Sequence, residues 1–192
     1  MDENTLNEAK SFVKSKDMGN PYHNFEHILS VLNRVQRNPL YNTLTDDERM
    51  LLDLAAIFHD AGYSMFNLEE ENLAIAVSLL DEFRTVSGDV TKTESDVISE
   101  LIYSTDNRNL NFIKDDSLYL MRAILKDADV TQTVIDDGDL WRDRLAKEFG
   151  SSFDKDSVLD FVNSIDIFTP YGKKLVNDWK ERNFSEVSDG SK

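Results

Sequence analysis

All three histidines of this 192-residue chain fall in two short stretches. His23 and His27 lie four residues apart in Pro21-Tyr22-His23-Asn24-Phe25-Glu26-His27, and His59 is followed by Asp60 at the end of the apolar run Leu51–Phe58. Neutral imidazoles and carboxylates are the ligands that divalent transition metals take. Residues i and i+4 project from one helix face, so the spacing predicts that His23 and His27 converge on one point. A His-Asp dipeptide closing a buried helix offers two adjacent ligands. A second apolar helix pattern, Leu118, Met121, Ile124 and Leu125, runs into Lys126-Asp127-Ala128-Asp129. Carboxylates at a helix C-terminus oppose the macrodipole, and a residue set against local preference usually has another task. Coordinating a cation would offset that cost. The pattern predicts a metal site.

The elements that must position these groups read as helices. Three prolines and seven glycines leave few breakers, and most fall between periodic segments. Thr5–Glu8, Thr45–Glu48 and Thr91–Glu94 have capping-box spacing, and Thr169-Pro170 and Asn20-Pro21 place a cap before proline. The predicted helices are 5–16, 21–37, 45–60, 69–84, 92–105, 116–128, 131–149, 155–167 and 170–182. In helix 45–60, Leu51, Leu54, Ala55 and Phe58 face inward while Asp46–Arg49 face water. Alternating strand patterns are scarce, and Asp89-Val90 and Phe112-Ile113 fall in short loops. The expected architecture is an all-α single domain over 1–184, followed by a polar tail, 185–192.

Composition narrows the partners. A net charge of −16 argues against long nucleic acid and anionic membranes, which need clustered Lys and Arg. A small anion still suits a site where a metal reverses the local potential. The absence of cysteine excludes disulfides and thiolate metal sites. The acidic start Met1–Leu6 does not read as a signal peptide, and no apolar run reaches the roughly 18 residues of a membrane span. A cytoplasmic protein is expected.

His27, His59-Asp60 and Asp129 resemble the H…HD…D ligand set of the HD-domain superfamily, helical metal-dependent phosphohydrolases. Their last aspartate typically follows a small residue, as in Ala128-Asp129. Tyr22-His23-Asn24 followed by His27 resembles the opening motif of the cyclic-nucleotide phosphodiesterases, where the first histidine donates a proton. Phe58–Tyr63, Glu70, Asn72–Ala74, Leu101–Thr105, Asp127–Asp129 and Ile167–Pro170 run in the order found in small bacterial predicted HD phosphohydrolases. The similarity spans nearly the whole chain. It departs at one point, because no histidine follows position 59, whereas dinuclear relatives carry more. A second metal would need Glu70, Asp106 or Asp127, so one divalent ion (Mn, Fe, Co, Ni, Zn or Mg) is expected.

The resemblance implies hydrolysis of a phosphate ester of a small nucleotide-like substrate by metal-activated water. His27, His59, Asp60 and Asp129 would hold the metal. His23, with an ordinary pKa of about 6.5, would protonate the leaving group, and Glu70 or Asp127 would orient water or a ligand. Tyr22, Asn24, Arg108 and Lys126 are the candidate substrate contacts, with Arg142 and Arg144 weighed as phosphate binders against surface ion pairs. The alternatives are a cyclic-nucleotide or other small phosphodiesterase, and a non-catalytic nucleotide-binding regulatory module.

Overall fold

A computed structural model describes residues 2–106, 117–135 and 138–184. Arg108, the loop at Phe112-Ile113 and the tail 185–192 lie outside them. Among the described residues there are nine α-helices and no strand, as the periodicity predicts. They are α1 (Glu3–Ser15), α2 (Phe25–Arg37), α3 (Asp46–Phe58), α4 (Glu69–Ser87), α5 (Lys92–Tyr103), α6 (Tyr119–Val130), α7 (Gly138–Phe149), α8 (Lys155–Ser164) and α9 (Pro170–Phe184). Short 3-10 turns at Pro39–Thr43 and Gln132–Val134 complete the chain. No described helix is long and apolar enough to cross a membrane.

The centre of the bundle is α3. From Leu52 to Phe58 all its residues are buried, so its apolar surface wraps the whole helix instead of one stripe. Such a helix must be enclosed, and α1, α2, α5 and α6 pack around it. Leu52, Leu54, Ile57 and Phe58 there meet Ile98, Leu101 and Ile102 of α5 and Ile124 and Leu125 of α6 in one continuous core. Burial of each such large side chain contributes about 1.5–3 kcal/mol. Asp53, the buried exception in α3, accepts hydrogen bonds from Gln36 Nε2 (2.8 Å) and Tyr41 Oη (3.0 Å). A smaller cluster of Val134, Val158, Val162, Val176 and Trp179 joins α8 and α9 to the turn after α6.

The caps match the sequence in three places, Thr169 before Pro170 of α9 being one (Gly172 N to Thr169 Oγ1, 3.0 Å), and shift in two others. Thr45 with Glu48 and Thr91 with Glu94 form the expected boxes at the starts of α3 and α5. At α1 the cap is Asp2, whose carboxylate accepts the Thr5 N–H, so Thr5 is buried inside the first turn instead of capping it. At α2 the difference matters more. Asn24, not Asn20, is the N-cap, its Oδ1 accepting the N–H groups of Glu26 (2.9 Å) and His27 (3.1 Å). The predicted helix 21–37 therefore begins four residues late, and His23 precedes it. His23 and His27 do not share a helix face. The predicted helix 131–149 is likewise divided, into the turn at Gln132–Val134 and α7.

Candidate metal centre

Three elements of the core deliver the cluster. His27 sits in the first turn of α2, His59 is the C-cap of α3 with Asp60 next to it, and Asp129 lies in the last turn of α6. Gly62 ends the excursion after α3 with φ +70°, a left-handed conformation that glycine adopts without steric cost. His27 and His59 are almost wholly enclosed, whereas the Asp60 and Asp129 side chains keep 16% and 23% of their surface. The cluster is thus reachable from its carboxylate side.

One donor atom from each of these four residues lies within 4.8 Å of all the others. His27 Nε2 is 3.2 Å from Asp60 Oδ2, 3.3 Å from Asp129 Oδ1 and 3.4 Å from His59 Nε2. His59 Nε2 is 3.2 Å from Asp60 Oδ2 and 3.8 Å from Asp129 Oδ1. The opposite nitrogen of His59, Nδ1, lies 2.9 Å from the Ala56 carbonyl oxygen. A carbonyl only accepts, so Nδ1 carries a proton, and once the ring is neutral Nε2 presents its lone pair to the cluster. Metal-binding histidines are oriented in this way. Two imidazole nitrogens and two carboxylate oxygens suit a borderline divalent ion. The cluster can hold a metal ion.

Without a cation the four groups balance one another. Burial alone would lower the His59 pKa, but the Asp60 charge and hydrogen bond, then Asp129, hold it up at about 9. Burial likewise penalises ionised Asp60 and Asp129. The imidazoles beside them outweigh that penalty and keep both carboxyls below the usual range. Ala128 tightens the frame: its carbonyl accepts the Nε–H of buried Arg34 at 2.5 Å, which ties α2 to the end of α6 next to Asp129.

His23 reaches the cluster from outside α2. Its ring stacks on Tyr63 at 3.8 Å and meets His27 edge-on, with centroids 5.8 Å apart. Its Nδ1 lies 2.5 Å from Glu148 Oε1, and Glu148 Oε2 also accepts the backbone N–H groups of Tyr22 (2.8 Å) and His23 (3.0 Å). Burial opposes a charge on His23, yet the Glu148 hydrogen bond and the Asp60 charge raise its pKa above the ordinary value.

The structure redistributes the remaining candidates. Asp127 does not face the cluster. It accepts hydrogen bonds from Phe168 N (2.9 Å), Thr169 N (2.6 Å) and Thr169 Oγ1 (2.6 Å), anchoring the start of α9. Successive helical residues turn by 100°, so Asp127 and Asp129 point to nearly opposite sides. Glu70 is exposed on α4. Glu69, also exposed, is the glutamate that feels the cluster, its carboxyl pushed up by partial desolvation and then by the Asp60 and Asp129 charges. Asn24 caps α2 through its Oδ1 and donates its amide to the Asn20 and Pro21 carbonyls. Tyr22 is buried against His27, ring centroids 4.7 Å apart, and against Trp141. Lys126 is fully buried, its Nζ donating to the Asp106 (3.1 Å) and Thr105 (3.4 Å) carbonyls within the field of Asp129. Arg142 donates to the Thr133 carbonyl and pairs with Asp139, and Arg144 pairs with Glu26 while lying over Trp141.

Glu148, which contacts His23, belongs to none of the motifs in the sequence. It is the penultimate residue of α7, a carboxylate in a last helical turn, and thus carries the same contrary-to-dipole signal that marked Asp129.

Fold and site together define an all-α protein with a buried His2Asp2 cluster able to bind a metal. The chain matches no protein-family model and no curated protein.

Proposed function

We propose that this protein is a metal-dependent phosphohydrolase acting on the phosphate ester of a small, nucleotide-sized substrate. The observation that carries the reading is the convergence of His27, His59, Asp60 and Asp129 donor atoms within 4.8 Å, with the protonation of His59 set by Ala56. These four residues would hold one divalent ion, and the order of their motifs resembles that of HD-domain phosphohydrolases. A bound divalent cation supplies an activated water and a Lewis acid for a phosphoryl oxygen.

The chain's own groups supply the rest. Asp60 and Asp129 are the partly accessible members of the cluster, so substrate approaches from their side. Two carboxylates there repel a phosphate until a cation neutralises them, which makes substrate binding metal-dependent. His23 stands beside the cluster, its pKa lowered by burial but raised overall by the Glu148 hydrogen bond and the Asp60 charge, and it donates a proton to the departing oxygen.

The test is a panel of nucleoside mono- and triphosphates and cyclic nucleotides with added Mn, Co, Mg or Zn, read as released phosphate or opened ring. Metal-dependent release from a monophosphate or triphosphate is the expected result. Opening of cyclic substrates alone would favour the phosphodiesterase reading, for which a proton donor such as His23 is the specific support. Nucleotide binding without turnover under any metal would overturn the enzymatic reading in favour of a regulatory module.

A further inference from the structure

The environment of Glu148 assigns it a task that the motifs do not mention. Its side chain is fully enclosed, and an ionised carboxylate is costly to bury without hydrogen bonds. All the donors it meets come from two adjacent residues: Tyr22 N and His23 N at Oε2, and the His23 ring at Oε1. One carboxylate therefore fixes both the backbone and the ring of His23. Tyr63 closes the ring face, stacked at 3.8 Å and 16°. His23 lies in the bend before α2, so α2 does not set its rotamer; α7, through Glu148, does.

We infer that Glu148 is the positioning residue for His23, holding its Nδ1–H so that Nε2 is the nitrogen that meets the substrate. Nδ1 is taken up by Glu148, whereas Nε2 makes no hydrogen bond among the described residues, and the ring meets that of His27 edge-on with centroids 5.8 Å apart. The inference rests on the phosphoester reading. As a water oxygen gives up a proton to solvent and forms the new P–O bond, the old P–O bond breaks and the Nε2 proton passes to the leaving alkoxide oxygen. His23 is left as the neutral Nδ1–H tautomer, still paired with Glu148, and solvent returns the proton. An acidic partner that selects one imidazole tautomer is an established catalytic device.

Glu148→Gln is the informative variant, because shape is kept and donor logic is reversed. The Tyr22 and His23 N–H groups would take the single amide oxygen, turning the amide NH2 toward Nδ1. His23 would then become the neutral Nε2–H tautomer, which has no proton to give at Nε2 without becoming an anion. With only three histidines in the chain, 15N-histidine spectra of the zinc-loaded protein resolve each ring, and His23→Ala assigns the relevant one. The expected result is loss of the proton from Nδ1 in Glu148→Gln, with metal content unchanged. Turnover of a nucleotide ester should fall by about 10²–10⁴-fold, the usual contribution of a general acid. Turnover of a nitrophenyl ester, which needs little protonation, should fall by less than about tenfold.

An unchanged Nδ1 proton, or equal losses on the two esters, would overturn the assignment. If the unaltered protein cleaves neither ester, the phosphoester reading fails, and the ring spectrum alone decides whether Glu148 positions His23. Should Glu148→Gln not fold, Glu148→Asp keeps the charge but withdraws it by one methylene. The same ester-selective loss is then expected in smaller degree, and an unaltered leaving-group dependence would overturn the inference.

Discussion

Asp127 holds Thr169 by two hydrogen bonds to one carboxylate oxygen, the Thr169 N–H and hydroxyl each lying 2.6 Å from Oδ2. That contact fastens the start of α9 to the end of α6, and Gly172 exists in its shadow: a Cβ there would fall 2.5 Å from the same oxygen. The two aspartates of Asp127-Ala128-Asp129 therefore serve different ends, one architecture and the other the cluster.

Asp127→Ala should destabilise the fold by about 2–4 kcal/mol, since it removes the acceptor of the buried Thr169 donors and of the half-buried Phe168 N–H. Metal binding should survive below the lowered denaturation midpoint. Asp129→Ala should instead lose metal binding under conditions where the fold persists. Denaturant melts and metal titrations of the two variants check this, and metal loss from Asp127→Ala under folding conditions would contradict the separation.

Asp60→Ala should abolish tight divalent-metal binding while the helical circular-dichroism signal persists. Asp60 lies beyond the last residue of α3, so α3 keeps its core packing. The unaltered protein gains stability on metal addition by RT ln(1 + [metal]/Kd), about 2.7 kcal/mol at a hundredfold excess over Kd. The variant should show no such gain in a thermal melt. A metal-dependent shift that remained intact would remove Asp60 from the ligand set.

Metal affinity should rise with pH from about 7 to about 9. His59 is held up at about 9 against the penalty of burial, chiefly by Asp60, and its Nε2 must lose a proton before it can coordinate. In the metal-free protein the raised pKa stabilises the fold fully below about pH 6.5. That contribution is lost as pH climbs through about 9. Metal binding and this stabilisation thus oppose each other over the same window. Calorimetric titrations in buffers of different ionisation enthalpy would show proton release at pH 7.5 that vanishes near pH 10. Affinity independent of pH across that window would contradict the assignment.

Gly62→Ala should cost about 1–3 kcal/mol. Its φ of +70° disfavours a side chain, and the added Cβ would meet Leu79 Cδ1 at 2.8 Å and Ile75 Cγ2 at 2.9 Å. Because Gly62 follows Asp60 by two residues, weaker metal binding should accompany the loss, measurable as a raised Kd. Gly88→Ala, also at positive φ but with nothing within 4 Å of its Cβ, should cost less and leave metal binding alone.

Much of this was legible in the chain itself. The helical class followed from periodicity, and the starts of α3 and α5 from capping boxes, because both depend on residues within one or two turns of each other. The histidines and the helix-end aspartates stood out by type, since histidines are rare here and carboxylates at helix ends work against the dipole, and the H…HD…D resemblance singled out His27, His59, Asp60 and Asp129 among them. Adjacency in sequence misled wherever a side chain chose a distant partner. His23 looked like the helical neighbour of His27, but Asn24 caps α2 between them and Glu148 claims the ring. Asp127 looked like a companion of Asp129, but two residues of helix turn it to Thr169. Glu70 looked no different from Glu69 until α4 was set against the cluster.

Residue types and periodicity were enough for the helices and for a metal site built from histidines and helix-end aspartates, because local hydrogen bonding and side-chain chemistry are written residue by residue; the choice of His27, His59, Asp60 and Asp129 came from the resemblance of their motif order. Only the tertiary structure decided that these groups meet, that Ala56 fixes the His59 proton and that Glu148 orients His23. Those relations join residues dozens of positions apart, or depend on where a helix ends. The angle at which one helix packs on another is set by the whole core around α3.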